Sequence, residues 1–158
     1  MLRRYGRAPR GERVYVKQRR NYGQNVTLLA GLRLDGMTDA MVIEGAVTSA
    51  VFEAFIEHIL LPTLQPGDIV VLDNLSAHKS SRVEKLLLTH GCQLVFLPAY
   101  SPDLSPIEQA FSKIKHLLRM LRAQTVDALI NAIAQALAAI TPFDALGFFT
   151  QAGFLNLD

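Results

Sequence analysis

At 158 residues, 50% of them apolar and 19% charged, the chain has the length and composition of one packed domain, which excludes disorder as its main state. Its apolar runs are strand-sized, and the alanine-rich stretch near the C-terminus is broken by Asp127, Asn131 and Gln135, so no segment reads as a bilayer span and a soluble protein is expected. The net charge of +2 conceals an asymmetry: eight of the sixteen Lys and Arg lie in the first twenty residues with Glu12 the only acid there, leaving eight bases against thirteen acids elsewhere.

Residues 1–24 are polar, glycine-containing and basic, and read as an arm or loop in which Arg-Val-Tyr-Val at 13–16 is the only strand-like fragment. Basic and glycine residues follow the opening Met-Leu-Arg-Arg where a secretory leader needs an apolar run, so secretion is not expected. A polyanion would meet the protein at this arm, with Arg7 and Arg10 as candidate nucleic-acid contacts; a solvated arm without a partner is the plainer alternative.

From residue 25 the pattern becomes that of a folded domain running to 158. Residues 25–34 are rich in apolar and β-branched side chains, Asp35-Gly36-Met37 suggests a turn, and 41–47 alternate as a second strand, with Asp35 and Asp39 as turn residues. The spacing then switches to helical, with Thr48 as N-cap, Val51, Phe55, Ile59 and Leu60 on one face, and Pro62 and Pro66-Gly67 closing the helix. Asp68 to Asp73 reads as a strand buried on both faces. A helix over 80–89, a glycine stop at Gly91 and a strand over 92–98 complete an α/β alternation. The lone Cys92 can form neither an internal disulfide nor a metal cluster and reads as a small strand residue. A proline-rich turn leads to an amphipathic helix carrying Ile107, Phe111, Ile114, Leu117, Leu118 and Leu121, and C-terminal helices follow from about 125, the last opened by Thr141-Pro142.

Two carboxylates stand out. Asp73 ends a strand, the place where open α/β sheets bind ligands; an acceptor for backbone N–H groups of the following loop is the competing reading. Glu108 lies three residues after Ser105 with Pro106 between them, which fits a capping box. It also heads a polar helical face continued by Ser112, Lys115, Arg119 and Arg122. A carboxylate at the head of a basic face suits an enzyme that holds a divalent cation over a phosphodiester while cations grip the flanking backbone. Two carboxylates suffice for Mg²⁺, which keeps water and substrate oxygens as its other ligands.

Val70 to Ser80 (VVLDNLSAHKS), Leu94 to Lys115 (LVFLPAYSPDLSPIEQAFSKIK) and the arm RRYGRAPRGERV together closely resemble the catalytic domain of DDE transposases, in the insertion-sequence-630-type branch of the mariner superfamily. The thirty-four residues between Asp73 and Glu108 match the interval which that branch uses between its second and third catalytic acids. The resemblance covers nearly the whole chain. It implies a ribonuclease H-like mixed sheet flanked by helices, two Mg²⁺ or Mn²⁺ ions, and movement of a DNA element bounded by inverted repeats. Asp73 and Glu108 would be catalytic metal ligands, with Asn74 and His78 as motif neighbours of unassigned role.

The sequence departs from the pattern in lacking two parts that the resemblance implies, the first catalytic acid and an N-terminal helix-turn-helix DNA-binding region. The family's first catalytic Asp sits on a central first strand upstream of the arm, and no Asp precedes Asp35, itself a turn residue. Without that strand the sheet should show unpaired backbone edges and exposed apolar surface. Three readings follow: a transposase segment completed by an upstream polypeptide or another copy of itself; a catalytically inactive remnant; or a DNA-binding regulatory module. A cytoplasmic, nucleoid-associated prokaryotic protein acting on double-stranded DNA is implied by the resemblance.

Overall fold

The computed structural model describes residues 25–155, together with Pro9. β1 (Val26–Arg33) and β2 (Gly36–Glu44) form an antiparallel hairpin. Gly36 turns the chain at φ +130°, a conformation that costs glycine little and L side chains a good deal. β2 therefore starts earlier than the sequence suggests, and Asp39 is an exposed strand residue rather than a turn residue. The irregular register between Ala30 and Leu32 absorbs the difference, with the Gly31 N–H donating to the Thr38 hydroxyl over 2.7 Å.

Thr48 caps α1 (Ser49–Phe55), its hydroxyl accepting from the Val51 N–H. The helix continues as a π turn over Ile56–Leu60, closed by Leu61 N–H donating five residues back to the Ile56 carbonyl, and then as a 3₁₀ turn, Leu61–Thr63. Of the expected stripe of Val51, Phe55, Ile59 and Leu60, Phe55 and Leu60 are buried and Ile59 packs against the core partly buried, while Phe52 and Ile56 take the remaining buried places and Val51 does not.

β3 (Ile69–Leu72), α2 (Ser81–Thr89) and β4 (Gln93–Phe96) make a βαβ unit with parallel strands. α2 starts at Ser80, whose hydroxyl accepts from Arg82 N–H, and stops before Gly91 at φ +82°. Val83 and Leu87 on α2 are fully buried and join Phe52, Phe55, Ile56, Leu60, Val70 and Cys92 in one core. A second core seats α3 (Pro106–Leu121), α4 (Val126–Ala138) and α5 (Pro142–Gln151) on the hairpin through Ile114, Ala136 and Ile140, against Leu28, Leu32 and Met37.

Among the described residues the strands form two separate sheets: β1 pairs only with β2, and β3 only with β4. Unlike the doubly buried strand expected, β3 buries Val70 but leaves Ile69 60% exposed, and among the described residues no strand pairs with its edge away from β4. Among the described residues no single helix is long and apolar enough to cross a membrane.

Candidate active site

Parallel pairing of β3 and β4 brings their carboxyl ends to the same edge, and the segment that follows each strand bears one of the two carboxylates. Asp73 comes directly after β3. Beyond β4 the chain runs through Tyr100, a 3₁₀ turn (Pro102–Leu104) and Ser105 into α3, whose third residue is Glu108. Asp73, Asn74 and Glu108 line a single open cavity of about 340 Å³, together with Tyr100, Ser101 and Ser105.

Asp73 is held through one oxygen. Its Oδ1 accepts from the Leu75 N–H at 3.1 Å, so the loop-acceptor reading of this residue is correct in part. The same Oδ1 accepts from His78 Nδ1 at 2.5 Å, which places the His78 proton on Nδ1, since an ionised carboxylate has none to donate. His78 lies in a one-turn 3₁₀ segment (Ser76–His78), and its ring stacks on Phe52 with centroids 4.1 Å apart. Phe52 is a buried residue of α1. A rigid chain of contacts thus runs from the core through Phe52 and His78 to Asp73 Oδ1, while Oδ2 has no hydrogen-bond partner among the described residues.

Glu108 is exposed, and its carboxylate is not engaged in capping. Ser105 is buried, with ψ 98° where the capping Thr48, Ser80, Thr125 and Thr141 have ψ between 128° and 166°, and makes no side-chain cap bond to α3. The expected Ser105–Glu108 capping box is therefore absent. Ser105 also ends the preceding 3₁₀ turn, which sets its backbone, and Glu108 lines the cavity.

Two further features were not found by sequence reasoning. Tyr100 has φ +58° and a fully exposed side chain at the cavity rim; a bulky residue in the left-handed region is uncommon and strained. Phe52 reads from sequence as one more core aromatic, and only the fold reveals that it carries His78.

Along α3, Ser112, Lys115, Arg119 and Arg122 are all exposed on the face headed by Glu108. Lys115, Arg119 and Arg122 make no ion pair among the described residues, whereas Lys113 on the neighbouring face is bound to Asp144. Arg7 and Arg10 lie outside the described residues. No group of three or more His, Cys, Asp or Glu among the described residues is arranged to hold a metal ion, so the carboxylate donors at this cavity are Asp73 and Glu108.

A family model described as DDE superfamily endonuclease matches residues 1–130. No curated protein matches the sequence. Among solved structures, a Mos1 transposase paired-end complex with left transposon end superimposes at TM-score 0.78 and 19% identity, covering 96% of this chain and 47% of that one. The catalytic domain of Mos1 mariner transposase gives 0.65 at 20% identity over 80% of this chain and 69% of that one. The same domain with raltegravir and Mn gives 0.70 at 19% identity, with 80% and 70% covered. The chain spans about half the length of the full transposase chains it matches, and the shared fold is ribonuclease H-like, a mixed α/β arrangement with helices flanking the strands.

Proposed function

Since the chain belongs to the DDE superfamily of endonucleases, we propose that it carries two of the acids of a metal-dependent DNA strand-cleavage and strand-transfer site acting at the ends of an insertion element. The observation that carries this reading is the convergence of Asp73 and Glu108 on one cavity from the ends of adjacent parallel strands. Both are hard oxygen donors, Asp73 Oδ2 has no protein partner among the described residues and Glu108 is released from capping, so the donor set fits Mg²⁺ or Mn²⁺. When bound, a pair of such ions supplies charge stabilisation at the attacking and leaving oxygens of a phosphodiester.

The chain's own part is to fix these acids and hold the DNA. The contact with His78 orients Asp73. Lys115, Arg119 and Arg122 present positive charge to the phosphate backbone flanking the cavity, where they set position without reading sequence. Tyr100 offers an exposed aromatic face at the rim on which an unpaired base can stack. A second reading, DNA binding without catalysis, is favoured by the presence of only two carboxylates at the cavity among the described residues.

The two readings separate on cleavage of a duplex carrying the element's inverted repeat, in Mg²⁺ or Mn²⁺, by this chain joined to the segment that precedes it in the element. Asp73→Asn and Glu108→Gln should each reduce strand cleavage at least a thousandfold and leave duplex affinity in the absence of metal within twofold. Cleavage at the unmutated rate by either variant removes that residue from the site; duplex binding without metal-dependent cleavage by the unmutated protein establishes the second reading.

A further inference from the structure

Ser105 is the one buried polar residue among the described residues, 7% exposed. A buried hydroxyl is ordinarily hydrogen-bonded, because desolvating it without a partner is unfavourable. The hydroxyls of Thr48, Ser80, Thr125 and Thr141 each accept a backbone N–H of the helix they cap, and that of nearby Ser101 donates to the Ala99 carbonyl. The Ser105 hydroxyl makes no cap bond and has no other partner among the described residues. It is not sealed off either: no fully buried side-chain oxygen or nitrogen among the described residues lacks a partner, so the little surface that Ser105 keeps includes Oγ. The residue lines the cavity shared by Asp73 and Glu108, which gives Oγ its opening.

The segment that carries this hydroxyl is held in place. Pro98, Pro102 and Pro106 fix φ at three points along it, and the Ser105 N–H donates to the Pro102 carbonyl at 3.0 Å. At the start of α3, Pro106 has no N–H, Ile107 is not part of the cavity wall, and the Glu108 N–H is spent on the Ser105 carbonyl at 3.1 Å. The Ser105 hydroxyl is therefore the donor that the positive end of this helix presents to the cavity. It is also a neutral donor beside two acids. A Lys or Arg here would pair with Asp73 or Glu108 and compete with a cation for them, whereas a hydroxyl donates one hydrogen bond and leaves both charges in place.

We propose that the Ser105 hydroxyl is a substrate contact that donates to a non-bridging oxygen of the DNA phosphodiester brought into this cavity, and so sets how that phosphate faces the two acids. The proposal rests on the reading of the cavity as a phosphodiester site and adds to it a residue that binds the phosphate in the cavity itself, where Lys115, Arg119 and Arg122 hold the flanking backbone. A hydrogen bond to an ionised acceptor is roughly twice as strong as a neutral one. The Glu108 carboxylate opposes an anion at the same place, so in the unmutated chain the contact forms once a cation offsets that charge.

The test is an NMR titration of the full 158-residue chain carrying E108Q, which removes the opposing charge and with it the need for a metal, against the dinucleotide dTpdT, whose phosphodiester is its one charge. Rising dTpdT should shift the amide resonances of residues 105–108. Adding S105A should lower the initial slope of that shift about tenfold, the factor for losing a hydrogen bond to an ionised group. Because S105A breaks no bond within the fold, it should move the thermal midpoint by less than about 2 °C. The dinucleotide with a neutral methylphosphonate in place of its phosphate should shift none of these resonances. Any of four results overturns the proposal: no shift with dTpdT; an equal shift with the methylphosphonate, which assigns the binding to the thymine rings; an unchanged slope in S105A; or a lowered midpoint in S105A, which spends the hydroxyl inside the fold. Shifts in E108Q that S105A removes, found together with no Mg²⁺ dependence in the unmutated chain, uphold the Ser105 contact and count against the metal reading alone.

Discussion

Asp73 is held as much by an aromatic ring in the core as by its own strand. The stack of His78 on Phe52 and the 2.5 Å bond to Asp73 Oδ1 restrain the carboxylate's rotation and leave Oδ2 without a hydrogen-bond partner among the described residues. His78→Ala removes both contacts and leaves Asp73 free to sample other rotamers. Partners that orient metal ligands are typically worth 10–100-fold in metal affinity or activity, so the Mn²⁺ concentration for half-maximal binding should rise by about 10–100-fold. Cleavage should recover at high Mn²⁺, and metal-free duplex affinity should not change. An unchanged Mn²⁺ titration would make His78 a packing residue only. The sequence made Asp73 and Glu108 legible, because a strand end and a helix start are local signals. It left His78 without a role, because the partner that explains it, Phe52, lies twenty-six residues away on another element and belongs to a pattern indistinguishable from ordinary core.

Helix termini show the same division between local and distant causes. Thr48, Ser80 and Thr141 cap their helices through their hydroxyls, and these starts follow from residue type alone. The capping box, however, forms at Thr141–Asp144 and not at Ser105–Glu108, because the backbone before α3 is dictated by the 3₁₀ turn. Asp144 also joins α5 to α3: its Oδ2 accepts from Lys113 Nζ at 2.7 Å and from the Thr141 N–H and hydroxyl at 2.9 and 2.7 Å. The Lys113 bond first, and then the Thr141 bonds, lower the Asp144 carboxyl from 3.8 to about 2. A carboxylate with a depressed folded-state value contributes stability that is present above its unfolded value and is lost as pH falls toward 2. Asp144→Ala should therefore cost about 1–2 kcal/mol at neutral pH, in the range of a lost cap and a partly exposed ion pair. In urea unfolding at stepped pH, the gap between mutant and parent should be constant above about pH 5 and close between pH 4 and 2. A gap independent of pH throughout would mean that packing, and not the ionised carboxylate, holds α5 to α3.

Charge is unevenly spread over the whole molecule, and this bears on how DNA would be held. Outside the first twenty residues acids outnumber bases thirteen to eight, so the folded part attracts a polyanion only where its cations are grouped. The exposed α3 face of Lys115, Arg119 and Arg122 is such a group, and its amphipathic spacing was legible because helical periodicity needs no tertiary information. The break between the two strand pairs was legible only through the family resemblance, since no local pattern states which strand a given edge lacks. Each phosphate neutralised by a protein cation contributes about −0.9 to the slope of log affinity against log salt concentration on duplex DNA. If all three side chains contact phosphate, replacing them with alanine should make that slope shallower by up to about 2.7 and weaken binding alike for element-end and unrelated duplexes. Asp73→Asn, which removes one negative charge near the same surface, should leave the slope unchanged. Fluorescence anisotropy from 50 to 300 mM salt measures both variants. An unaltered slope in the triple variant would assign the phosphate contacts to the eight cations of residues 1–20 and leave α3 with Glu108 as its only part in the site.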